Sequence, residues 1–294
     1  MVRKLLFLFI GVVICNVSFA QLVTVQADYN SIGDCVFSAT NNAKVPMYLH
    51  LNIADLENTT FNETLPYIKR LTLGYNNLFT LQRDLDADVP RFNYEIKTFR
   101  SNPTADVDLD FPYLIPFEEK KTVQFFDVKN IDGFWGTEGL DSWYAVGFHT
   151  DPGSSVLACR NGIVTEIVGK VRTGDSRNWY HTWTNCITLL HPDGTLICYH
   201  GIACDPEKIA VGDKVFAGQN IGEMLPGSNE LVVLIFHDSL YTKILSFIIP
   251  QFVLSPDGKH DILNSTVPYQ VYHPDAVVGM EMTKKEKRKY LGKQ

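Results

Sequence analysis

The sequence predicts a mainly β chain, with an N-terminal β-sandwich domain followed by a second antiparallel β domain. Three observations carry that expectation. Short apolar runs alternate with period two, Asn, Pro and Gly punctuate them, and helical periodicity is scarce throughout the 294 residues. About 270 residues beyond the first twenty exceed the usual size of one core, which favours two domains.

Residues 1–20 read as a secretory signal: Arg3 and Lys4, the apolar Leu5–Val13, then Ser18-Phe19-Ala20 as a cleavage site. The apolar run is shorter than the ~20 residues of a spanning helix, so no transmembrane anchor is expected. Export is. Cys15 falls inside the discarded segment, leaving Cys35, Cys159, Cys186, Cys198 and Cys204. An odd number in an exported chain requires a free thiol or an intermolecular bridge. Cys186 and Cys198 fall on the arms of one hairpin, so a local disulfide and buried thiols packed as small hydrophobes both remain open.

Within residues 21–105, Val45–Ile53, Tyr67–Leu73 and Phe92–Arg100 have the composition of sandwich strands. The polar Ser101–Asp106 stretch closes that domain. A second domain then occupies 106–275. Its clearest element is a hairpin of Asn185–Leu190 and Thr195–His200 around His191-Pro192-Asp193-Gly194, where proline presets the turn and glycine closes it. Residues 276–294 form a basic tail, with Lys284, Lys285, Lys287, Arg288 and Lys289, read as a solvated terminus. The net charge of −7 argues against a nucleic-acid partner, which needs clustered cations.

The second domain carries Tyr144–Phe148, Gly153–Ala158, Asn161–Val164, Leu190–Thr195, Tyr199-His200 and Val211–Gly222 in an order and spacing that resemble the LytM/lysostaphin-type zinc endopeptidases. The resemblance covers roughly residues 111–250 and implies an antiparallel β fold with a groove on one sheet face. It also places the family's functional positions. The metal-binding Asp falls at Gly147, an upstream His ligand at Glu138, and the His-Leu-His-Phe strand at Val233-Leu234-Ile235-Phe236. Ile235 then replaces the third ligand and Val233 a catalytic His. His200 matches the remaining catalytic His.

A catalytic zinc needs three donor side chains and an open position. Glycine, valine and isoleucine donate none, so no cofactor is expected, and zinc enters only if displaced ligands rebuild a site. His149, Asp151, His200 and His237 are the candidates for such a rearrangement. Taken alone, a strand histidine such as His200 is more often structural than catalytic, and His237-Asp238 reads as a strand end.

The loop Thr173–Thr184 concentrates Trp179, Tyr180 and Trp183, which either pack on their own sheet or form a rim for a partner. With His149 and His237 they are the candidate groove contacts. The resulting expectation is an exported, inactive pseudopeptidase that binds or regulates a cell-envelope protein or peptidoglycan peptide. An active peptidoglycan endopeptidase with rearranged ligands and a secreted structural or adhesive module are the alternatives.

Overall fold

The computed structural model describes residues 22–128, 143–169, 185–240, 245–264 and 266–293. Six strands build the first unit: β1 (Val23–Tyr29), β2 (Cys35–Asn41), β3 (Met47–Glu57), β4 (Tyr67–Leu71), β5 (Gly74–Leu81) and β6 (Arg91–Phe99). They form two three-stranded antiparallel sheets, ordered β1-β2-β5 and β4-β3-β6. Phe37, Leu49, Leu51, Leu71 and Leu81 fill the space between them with essentially no exposure. In β3, buried Leu49, Leu51 and Ile53 alternate with less buried His50, Asn52 and Ala54, as a strand with one core face requires. His50 accordingly stands on the outer side, edge-on to Phe99.

The second unit is organised by one nine-stranded antiparallel sheet. Its members are β8 (Thr122–Asp127), β9 (Val146–His149), β11 (Gly162–Val168), β12 (Cys186–Leu190), β13 (Leu196–His200), β15 (Lys214–Val215), β17 (Glu230–His237), β18 (Ser246–Phe247) and β21 (Pro268–Gln270). Their order is β15-β11-β12-β13-β17-β9-β8-β21, with β18 also on β17. Two small sheets flank it. One is β10 (Ser155–Leu157), β16 (Asn220–Met224) and β14 (Ile202–Ala203). The other is β7 (Pro112–Tyr113), β19 (Gln251–Val253) and β20 (His260–Asp261).

The hairpin β12–β13 forms where the sequence places it. Its turn is closed by Gly194, at φ +90°, whose N–H donates to His191 O at 3.0 Å. A side chain there would also collide, since its Cβ would lie 2.4 Å from Asn102 Cβ. The turn thus packs directly on the segment between the two units.

That segment is not a free linker. Ser101 is fully buried, and its N–H and hydroxyl donate to Asp238 Oδ2 at 3.0 and 2.6 Å. Arg100 pairs with Glu166 at 3.0 Å. Tyr48 and Phe99 of the first unit join a core with Cys198, Val232 and Leu234 of the second.

The C-terminal residues differ from the solvated tail expected of 276–294. Helices α1 (Asp275–Val278) and α2 (Lys284–Tyr290) bracket Met282, and Val277, Val278 and Met282 are buried against Leu114 and Val253. Glu281 reaches Arg160 Nη2 at 2.6 Å. The lysines remain on the outside, while Thr283 and Glu286 form a capping box that starts α2. Periodicity missed this anchor because it consists of three apolar residues and one carboxylate, too few to rise above a basic background. Among the described residues no helix is long and apolar enough to cross a membrane.

Candidate functional site

Directly paired residues on neighbouring strands share a sheet face, so strand register decides which side chains meet. One row crosses the large sheet: Val168 pairs with Cys186, Cys186 with His200, His200 with Val232, Val232 with Gly147, and Gly147 with Phe126. His200 and Gly147 therefore stand on one face of the sheet. The next row brings Thr188, Cys198 and Leu234 onto that same face.

The register corrects the other two positions. Val233 pairs with Tyr199 and Val146, and Ile235 with Ile197, so both point to the opposite side and lie within the main core. The residues beside His200 and Gly147 are instead Val232 and Leu234. Val233 and Ile235 line no groove floor either, because both are 1% exposed core residues. His237 alternates with them and faces away from His200; its Nδ1 lies 2.8 Å from Asp238 O. The rearranged set His149, Asp151, His200 and His237 is therefore not brought together.

Gly147 explains its own identity. A Cβ built there would lie 2.2 Å from Phe126 Cζ and 2.3 Å from Cε2. The Phe126 ring occupies the space of a side chain at 147 and stacks on the His149 imidazole, with centroids 4.3 Å apart and planes at 26°. His149 Nδ1 lies 3.8 Å from Glu230 Oε1 at the margin of this face. Above Val232 and Leu234, Tyr48, Phe99, Trp143 and Phe247 complete an apolar cover. Glu138 and the aromatic residues Trp179, Tyr180 and Trp183 lie outside the described residues.

His200 is fully buried, and its Nε2 sits 3.2 Å from Cys198 Sγ. Burial lowers its pKa to about 3, so the imidazole is neutral at ordinary pH. Burial also pushes the Cys198 thiol well above its usual range, with the neighbouring Cys186 adding in the same direction. None of Cys35, Cys159, Cys186, Cys198 and Cys204 is in a disulfide, so the hairpin cysteines are not bridged to each other.

A second polar node supports the hairpin turn. Arg160, 4% exposed, holds Asp193 at 2.7 Å and Glu281 at 2.6 Å, with its guanidinium carbon 3.7 Å from the centroid of the Phe111 ring. Beside it, His191 Nδ1 lies 2.8 Å from Asn161 O. Burial, then the Arg160 charge, lowers the His191 pKa to about 3. The sequence singles out His191 and Asp193 only as turn residues; Arg160 and Glu281 carry no sequence signal because the partners lie 33 and 121 positions apart.

The residues present do not fit a hydrolytic zinc: Gly147 offers no donor where the resemblance implies an Asp, Val233 and Ile235, to which it assigns the two His, are core residues, and Val232 and Leu234 on the His200 face are hydrocarbon. Among the described residues one group of three donor side chains is close enough to hold a metal: Cys186, Cys198 and His200.

The chain is similar in structure to LytM/lysostaphin-type M23 peptidase domains. One is the catalytic domain of the antimicrobial peptidase lysostaphin from Staphylococcus simulans, at 24% identity over 36% of this chain and 74% of that one, with a TM-score of 0.27. For the longer lysostaphin structure the match spans 38% of this chain and 44% of that one, at 24% identity and a TM-score of 0.27. Pseudoalterin, an M23 metalloprotease from the deep sea, matches at 12% identity over 56% of this chain and 98% of that one, with a TM-score of 0.31. No protein-family model and no curated protein matches the chain.

Proposed function

We propose that this chain is an exported, catalytically inactive LytM-like pseudopeptidase that binds or regulates a cell-envelope partner related to peptidoglycan. The single observation that carries the loss of catalysis is the Phe126 ring over Gly147, which fills the volume an Asp ligand would need. Val232 and Leu234 beside it are buried hydrocarbon, and Tyr48, Phe99, Trp143 and Phe247 cover the face. Such a surface excludes the polar ligands and water that amide hydrolysis requires.

The division at residues 21–105 and 106–275 belongs to the same reading, supported by the separate cores of the two units. The buried Ser101–Asp238 contact favours a fixed arrangement of those units over a flexible spacer. Docking of a partner is assigned to the rim, with His149 beside the filled face and Trp179, Tyr180 and Trp183 as further anchors; His237, on the far face, is no longer among them. The test is a pull-down from envelope extract with the parent chain, a Trp179→Ala/Trp183→Ala variant and a His149→Ala variant. Specific capture weakened by these changes is expected. Capture unaffected by all three removes the assigned rim.

A further inference from the structure

We propose that Cys186, Cys198 and His200 form a buried, non-hydrolytic metal site for a thiophilic d10 cation, zinc(II) or copper(I). The donor atoms of the three residues all lie within 4.8 Å of one another, and Cys198 Sγ is 3.2 Å from His200 Nε2. A metal bound at ~2.3 Å to sulfur and ~2.0–2.1 Å to nitrogen separates its donors by less than that limit. The cluster therefore needs only small side-chain movements to close.

The register favours a metal over a disulfide. Cys186 stands opposite His200, and Cys198 opposite Thr188, so the two cysteines are diagonal neighbours across the β12–β13 pair. Diagonal positions lie ~7–8 Å apart, somewhat less between Cβ atoms, whereas a disulfide wants Cβ atoms ~3.5–4.5 Å apart. A cation between the sulfurs spans that gap without bending the sheet. Two central strands, β12 and β13, hold the donors on a rigid platform, and each ligand is at most 1% exposed.

The chemistry of the surroundings agrees. Val168, Val232 and Leu234 line the same face, so an uncompensated pair of thiolates would be costly, while two thiolates, a neutral imidazole and zinc(II) sum to zero charge. Thr188 stands directly opposite Cys198, and its buried hydroxyl has no hydrogen-bond partner among the described residues, so it is placed to donate to that sulfur once a metal holds it as a thiolate. Soft sulfur ligands select zinc or copper(I) over magnesium, calcium or manganese. Binding converts two thiols to metal-bound thiolates and releases two protons to solvent, with no change of oxidation state. Because hydrolysis is not part of this claim, it stands or falls independently of the proposed loss of catalysis.

The test uses the full chain, reduced and kept anaerobic, titrated natively and also refolded with each metal, since the site is closed to solvent. Cobalt(II) serves as the optical stand-in for zinc(II), and copper(I) is supplied from a competing chromogenic chelator. One equivalent of cobalt with a thiolate charge-transfer band displaced by zinc, or one equivalent of copper(I), is expected. A Cys186→Ser/Cys198→Ser variant should bind at least ~10-fold more weakly, while Cys204→Ser binds as the parent does. On the unaltered protein, the same metal should slow alkylation of Cys186 and Cys198, mapped by mass spectrometry, and leave Cys204 unchanged. Absence of uptake by both native and refolded protein, or equal affinity in the double variant, overturns the proposal.

Discussion

A Cβ at Gly147 would lie 2.2 Å from Cζ of Phe126, its directly paired neighbour on the adjacent strand. Gly147→Ala is therefore expected to destabilise the domain by about 1–3 kcal/mol through overpacking. Phe126→Ala alone should also destabilise by removing a packed ring. The double change should cost less than the two single changes added together, because the new methyl then enters vacated space. Urea unfolding of the four proteins measures this, and strict additivity would dissociate the two residues.

Arg160 lies between Asp193 and Glu281 in a nearly solvent-free node. Its replacement by Met leaves two carboxylates facing each other without their cation. The expected loss is about 3–5 kcal/mol, and most of it should be recovered when Asp193→Asn and Glu281→Gln are added. Thermal or chemical denaturation distinguishes this from simple loss of packing, which the added changes would not restore.

Acid stability is expected to depend on His191. Burial and Arg160 depress its folded-state pKa from 6.5 to about 3, so the unfolded chain takes up a proton in that interval and the folded chain does not. Stability present above pH 6.5 is then lost as the pH falls towards 3. Asp193, which burial would raise but Arg160 and the Thr195 amide hold low, loses stability in the same direction. His191→Gln should flatten the slope of unfolding free energy between pH 6 and 4 by up to about 1.4 kcal/mol per pH unit, the equivalent of one proton. An unchanged slope would mean that His191 is protonated in the fold.

The thiols provide a compositional check. Protein lacking residues 1–20, denatured without reductant, is expected to titrate five thiols with a chromogenic disulfide, because none of Cys35, Cys159, Cys186, Cys198 and Cys204 is disulfide-bonded. A count of three would reveal an intramolecular bridge.

Much of the architecture was legible because it is local. The turn at His191–Gly194 and the alternation in β3 announce themselves within ten residues, through proline, glycine and period two. The face of β17 was not legible. Leu231–Phe236 is an uninterrupted apolar run buried on both sides, so alternation cannot say whether Val232 or Val233 looks towards His200. Only pairing with β13 decides it, and a slip of one residue exchanges the two faces. The occupant of the Asp position is also non-local, since Phe126 comes from a strand preceding Gly147. The same holds for Cys186, Cys198 and His200, whose spacing matches no metal motif until β12 and β13 pair.

Hydrolysis tests the loss of catalysis most directly. Full-length protein, purified and incubated with zinc and cross-linked peptidoglycan, is expected to release no peptide or amino groups above the buffer control, because Phe126, Val232 and Leu234 occupy the face where donors would stand. Chelator-sensitive release of cross-bridge fragments that disappears in a His200→Ala variant would contradict it.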